Sequence, residues 1–146
     1  MSIVLDCSVA MNWLMPDESS PFAEEVLERV ALDGAFVPPL FKVEVGNALL
    51  LAVRRKRITP GTRRMAFDRI GALPLKEDGQ GAAHVWTDCV DLADKHGLSL
   101  YDATYLELAI RLRKPLATLD DRLANAARQA DLPHSWPDVL NKESRP

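Results

Sequence analysis

Apolar residues along this chain fall into two kinds of run. Short blocks rich in β-branched residues, Ile3-Val4-Leu5 and Ala35-Phe36-Val37, end at an acid or a proline pair, and Leu116-Ala117-Thr118-Leu119 ends at Asp120. Such blocks read as short buried strands. Leu73-Pro74-Leu75 reads as a further short strand. Longer stretches repeat apolar residues every three or four positions, as an amphipathic helix does. Ser8 to Met15 forms a short helix or turn stopped by Pro16, and Ser19 or Ser20 caps a helix that opens at Pro21, buries Phe22, Val26, Leu27 and Val30, and ends at Gly34. Leu40 to Arg57 is nearly apolar on all sides until Arg54, the mark of a buried helix. Further helices are expected from Thr59-Pro60 through Ile70, from Gly81 to His96, from Leu100 to Arg113 after Ser99, and from Asp121 to Ala130. A last extended piece lies near Pro133 to Trp136, and Lys142 to Pro146 reads as a frayed tail.

Short strands alternating with longer helices predict an α/β fold with a mainly parallel sheet. Ligands in such sheets sit outside the carboxyl ends of the strands. The length of 146 residues fits one domain, expected over residues 1–141, with no repeat or linker. With 47% hydrophobic and 27% charged residues, the chain is neither disordered nor fibrous.

The formal net charge of −3 excludes a surface that acts as a whole as a cationic clamp, so any nucleic acid must be handled at a local site. The longest uninterrupted apolar run, Ala48 to Val53, is far short of a membrane span. Acidic Asp6 follows Ile3-Val4-Leu5 directly, with no basic region before it, so no secretory signal is visible and a cytoplasmic location is expected. Cys7 and Cys89 form no CxxC pair and suit a reducing compartment as small buried residues; a thiol nucleophile at Cys7 is the lesser reading. His84, His96 and His134 stand apart from one another, which speaks against zinc.

Four carboxylates stand out by context. Asp6 and Asp120 follow strands, Asp102 starts a helix, and Glu44 lies inside an apolar helix. Each has a plain structural alternative. Asp120 can cap the following helix, Asp102 stands at capping-box spacing from Ser99, and Asp6 can bond its own backbone in a turn. Glu44 needs a partner or a metal, because a lone charge on an apolar helix is costly; Arg64 or Arg69 is a possible partner. Taken together, four acids without matching histidines suit a hard cation such as magnesium or manganese. Bases gather elsewhere: residues 54–69 carry seven (Arg54, Arg55, Lys56, Arg57, Arg63, Arg64, Arg69), and Arg111, Arg113 and Lys114 form a second group. They read either as solvated helix ends or as a track for phosphates beside the acids.

Four segments in order resemble the PIN domain, and more closely the VapC-type toxins of bacterial toxin–antitoxin pairs. They are Ile3-Val4-Leu5-Asp6-Cys7-Ser8, Glu44-Val45-Gly46-Asn47-Ala48-Leu49, Leu100 to Ala109 around Asp102, and Ala117-Thr118-Leu119-Asp120-Asp121-Arg122-Leu123. The resemblance spans Ile3 to Leu132 and implies a three-layer fold, with about five mainly parallel strands between helices. It implies a metal-dependent endoribonuclease that binds Mg2+ or Mn2+, homodimerises and is inhibited by a cognate antitoxin. It gives the metal-site and catalytic role to Asp6, Glu44, Asp102 and Asp120, with Ser8 and Thr118 as supporting hydroxyls. Asp121, beside Asp120, shares the metal, caps the helix or faces solvent. Trp13, Leu14 and Met15 are either a contact for the antitoxin or, the favoured reading, ordinary core.

The chemistry so implied is hydrolysis of an RNA phosphodiester, with one or two cations activating water and stabilising the leaving oxygen. In-line attack by water leaves 5′-phosphate and 3′-hydroxyl ends. Two other functions fit less well. An aspartyl-nucleophile phosphatase using Asp6 would want a second aspartate where Ser8 stands, and a non-catalytic PIN-like RNA-binding or interaction module would not need all four acids.

Overall fold

The computed structural model describes residues 2–18 and 20–132. The chain runs β1 (Ile3–Leu5), α1 (Cys7–Leu14), α2 (Pro21–Asp33), β2 (Ala35–Val37), α3 (Leu40–Arg54), α4 (Pro60–Gly71) and β3 (Leu75–Glu77). It continues through α5 (Val90–His96), α6 (Leu100–Leu112), β4 (Leu116–Ala117) and α7 (Asp121–Gln129). Between β3 and α5 lie a 3-10 turn, Gly81–His84, and a π turn, Val85–Cys89. The expected extended piece at 133–136, His134, the domain limit at 141 and the tail 142–146 lie outside the described residues.

All four strands of the described sheet are parallel, in the order β3-β2-β1-β4. Ile3, Val4 and Leu5 are fully buried, as befits a central strand covered by helices on both faces. α6 packs on β1 and β4, and α7 on β4. The chain builds outward from β1 through β2 to β3, then returns to add β4 on the other side of β1. The order therefore reverses between β1 and β4, so their carboxyl ends mark the topological switch point.

Local chemistry sets the element limits. Ser20 caps α2 by accepting from the Ala23 amide, with Pro21 at the first helical position. Gly34 has φ +76°, and a Cβ there would lie 2.9 Å from the Pro74 carbonyl oxygen, so the turn into β2 needs glycine. β3 begins one residue after Pro74, later than the sequence predicts, because proline has no N–H for the ladder. α3 stops at Arg54 rather than Arg57, where the chain turns through Lys56 at φ +60°. α3 is also not buried all round. It packs on α1 and α4 through Phe41, Val45, Leu49 and Ala52, and leaves Val43 68% exposed. Leu14 and Met15 are buried, and Trp13 packs against the core while its Nε1 donates to the Ala23 carbonyl at 2.6 Å.

Candidate active site

Asp6 leaves the carboxyl end of β1 at the N-cap position of α1. Its amide donates to the Ala117 carbonyl at 3.0 Å, tying the ends of β1 and β4 together. Its side chain does not cap the helix; Ser8 Oγ donates to Oδ2 at 2.6 Å and Thr118 Oγ1 donates to the same oxygen at 2.7 Å. Each hydroxyl in turn accepts an amide: Leu119 N–H donates to Ser8 Oγ at 2.9 Å, and Asp120 N–H donates to Thr118 Oγ1 at 3.0 Å. β4 ends at Ala117 rather than Leu119 because these two amides serve the hydroxyls instead of the ladder. Bonds of this kind favour the charged carboxylate. Burial outweighs them and raises the Asp6 pKa, and the Asp120 charge pushes the same way.

Glu44 lies in the second turn of α3, half-buried. Its partner is neither Arg64 nor Arg69. Tyr105, fully buried on α6, donates its hydroxyl to Glu44 Oε1 at 2.6 Å, while Arg69 donates to the Trp13 carbonyl at 3.2 Å. Burial raises the Glu44 pKa, the Tyr105 bond opposes it, and the Asp6 and Asp102 charges add to it. Asp102 occupies the first turn of α6, whose cap Ser99 accepts from the Asp102 amide at 3.1 Å. Its pKa is pushed up to about 6, first by burial and then by Asp6 and Asp120. Asp120 is exposed and caps α7, its Oδ1 accepting from the Leu123 amide at 3.0 Å. That leaves Asp121, exposed at the first helical position, without the capping role.

The four acids thus lie close enough for the charge of each to act on at least one other, and Asp6 is coupled to the other three. Every donor they offer is a carboxylate oxygen, which fits a hard divalent cation. They stand wider apart than a tight ligand cage. Among the described residues, the group whose ligand atoms all come within 4.8 Å of one another is His84, Asp88 and Glu107.

That second cluster is an internal ion-pair network. Arg111 donates from Nε to Glu107 Oε1 at 2.7 Å, and from its two terminal nitrogens to the Asp78 carboxylate at 3.1 and 2.7 Å. His84 Nδ1 lies 2.8 Å from Asp88 Oδ2. Arg111 holds the Asp78 carboxyl below its ordinary range. A guanidinium already bound to Glu107 opposes a cation at the same oxygen, so the cluster suits structure better than metal binding. Beside it, a Cβ at Gly81 would meet Asp78 Oδ2 at 2.7 Å, and the chain passes through 3-10 and π turns where the sequence predicts one helix over 81–96.

Tyr105 and this network escaped sequence reasoning. The signals were present in the spacing, since Tyr105 lies one turn beyond Asp102, and His84–Asp88 and Glu107–Arg111 are pairs four apart. The expected phosphate track is partly spent on the protein itself. Arg57 pairs with Asp17 at 3.1 Å and Arg111 is enclosed by two carboxylates; Arg54 lies ten residues beyond Glu44, about 15 Å along α3, and Arg113 lies at the opposite end of α6 from Asp102, about 16 Å away, so neither stands beside the acids. Cys7 is not a nucleophile. Burial, with the Glu44 and Asp6 charges, pushes its thiol up to about 12, so the thiolate is scarce.

The chain is 29% identical over 124 residues to Ribonuclease VapC3 of Pyrobaculum aerophilum, covering 85% of this chain and 93% of that one. It is 32% identical over 123 residues to Ribonuclease VapC1 of Mycobacterium tuberculosis, covering 84% and 89%. The crystal structure of FitAcB from Neisseria gonorrhoeae has the same fold, with a TM-score of 0.62 at 16% identity over 88% of this chain and 94% of that one. The PIN domain family profile matches residues 3–129, nearly the whole described chain, and on this breadth the protein belongs to the PIN domain family.

Proposed function

We propose that this protein is a magnesium- or manganese-dependent endoribonuclease, the toxin of a toxin–antitoxin pair, in which Asp6, Glu44, Asp102 and Asp120 hold the metal and carry catalysis. The observation that supports it most is the convergence of four carboxylates at the sheet's switch point, three of them with raised proton affinity. Acids so placed repel one another, and a divalent cation relieves that repulsion. When bound, the cation supplies the Lewis acidity that activates water and stabilises the leaving oxygen.

The chain's own residues prepare the site. Ser8 and Thr118 grip one oxygen of Asp6 and fix its orientation; the loop amides of Leu119 and Asp120 aim those hydroxyls. Tyr105 holds Glu44 by a hydrogen bond to Oε1. Asp121 is a solvent-facing neighbour of the site rather than its cap. The similarity to two proteins named ribonuclease VapC supports RNA as substrate. Partners in this reading are a cognate antitoxin and a second copy of the chain, and exposed apolar side chains such as Val43 and Trp86 offer surface for them. No described helix is long and apolar enough to cross a membrane.

Incubation of the purified protein with total RNA and with DNA, in Mg2+ or Mn2+ with and without EDTA, tests the proposal. Chelator-sensitive RNA cleavage with 5′-phosphate and 3′-hydroxyl ends is expected. Cyclic phosphate ends contradict the water mechanism. An intact RNA pool contradicts the activity and returns the protein to a phosphatase or a binding module.

A further inference from the structure

A site of four acids must accept a polyanion, so cations are needed close by. Arg54 and its neighbours stand well along α3, and Arg57 and Arg111 are engaged with carboxylates. Arg122 differs. It lies two residues after Asp120 in the first turn of α7, is exposed, and makes no ion pair or hydrogen bond among the described residues. It lines a polar cleft of about 420 Å³ between α7 and the His96-Gly97 turn.

On the opposite wall, Gly97 lies two residues before Ser99, the residue that caps α6 and accepts from the Asp102 amide. Asn125 and Gln129 continue the α7 wall, and His96 Nδ1 bonds Gln129 Oε1 at 3.1 Å, holding the ring against the helix. The cleft starts at Arg122, two residues past Asp120, and runs along α7 for roughly 10 Å to Gln129. Its lining is cationic and hydrogen-bonding, with no acid among the residues that form it.

We propose that this cleft is a subsite for the RNA strand next to the scissile bond, in which Arg122 contacts a flanking phosphodiester. This rests on the ribonuclease reading above. Arg122 holds the substrate equally before and during reaction, so its loss raises KM and leaves kcat in place.

The test compares wild type, Arg122→Gln, Arg122→Lys and Arg113→Gln. Arg113 is an exposed cation at the far end of α6, so its variant removes the same charge away from the cleft. Cleavage kinetics are measured in Mg2+. Binding of a fluorescein-labelled, random-sequence single-stranded 12-mer RNA is followed by anisotropy in EDTA across a salt series. Arg122→Gln is expected to raise KM and Kd about three- to tenfold with kcat within twofold, and to lower the slope of log K against log salt by about 0.7. Arg122→Lys restores most of the binding, and Arg113→Gln behaves as wild type. If Arg122→Gln matches wild type, or if both glutamine variants weaken binding equally, the subsite is wrong while the ribonuclease reading stands. A wild-type protein that neither cuts nor binds RNA overturns both.

Discussion

Asp102 carries a charge that the fold disfavours. Its ordinary value of 3.8 is raised to about 6, so the folded protein holds the proton more tightly than the unfolded chain. Stability from this group is present at low pH and is lost as pH rises from about 4 through about 6. In metal-free protein, Asp102→Asn is therefore expected to raise stability at pH 7.5 by about 1–2 kcal/mol, a figure reduced because solvent reaches half of the side chain. Urea melts at pH 7.5 and 4.5 check this; the gain shrinks at the lower pH, and a gain that grows on acidification contradicts it. Tyr105→Phe removes the hydroxyl that holds Glu44, at a cost of about 1 kcal/mol, and is expected to lower cleavage without unfolding the protein. Glu44 was legible in the sequence because a carboxylate on an apolar helix demands an explanation. Its partner was not, because Tyr105 is 61 residues away and only the tertiary fold joins them.

Asp120 serves an element and, in the proposed function, a metal. It ends β4's loop and caps α7 by accepting from the Leu123 amide. Asparagine caps a helix as well as aspartate does but carries no charge. Asp120→Asn should keep the melting temperature and lose most of the cleavage, whereas Asp120→Ala should lose both, the cap costing about 1 kcal/mol. If Asp120→Asn cleaves at the wild-type rate, Asp120 is a cap only. Helices with caps and a following glycine or proline were read to within a residue or so, as α2, α4 and α6 show. Elements went astray where side chains rule the backbone. The segment over 81–96, packed beside the Arg111 network, runs through 3-10 and π turns before α5, and the hydroxyls of Ser8 and Thr118 cut β4 short. α3 looked fully buried because periodicity cannot show which of its faces the neighbouring helices leave open, as they leave Val43.

The molecule as a whole makes the site by topology. Hydropathy predicted a parallel sheet and placed Asp6 and Asp120 at strand ends, but not the order β3-β2-β1-β4 that sets those ends side by side. Strand order depends on crossovers, which leave no local trace. Convergence of like charges lowers stability, so a cation that binds the fold alone must raise it. At a hundredfold excess over Kd the gain is about 2.7 kcal/mol, roughly 5 to 10 °C in Tm, read by calorimetry with Mg2+ or Mn2+ against EDTA. An unchanged Tm contradicts a tight site, and the gain should fade below about pH 6 as Asp102 takes up its proton. Light scattering should give twice the chain mass of 16.2 kDa if the protein pairs with itself.

Anomalous diffraction from a manganese-soaked crystal bears most directly on where the chemistry resides. We expect a peak bounded by Asp6, Glu44, Asp102 and Asp120, at the ends of β1 and β4. A peak beside His84, Asp88 and Glu107 instead, with none among those four acids, would contradict the account.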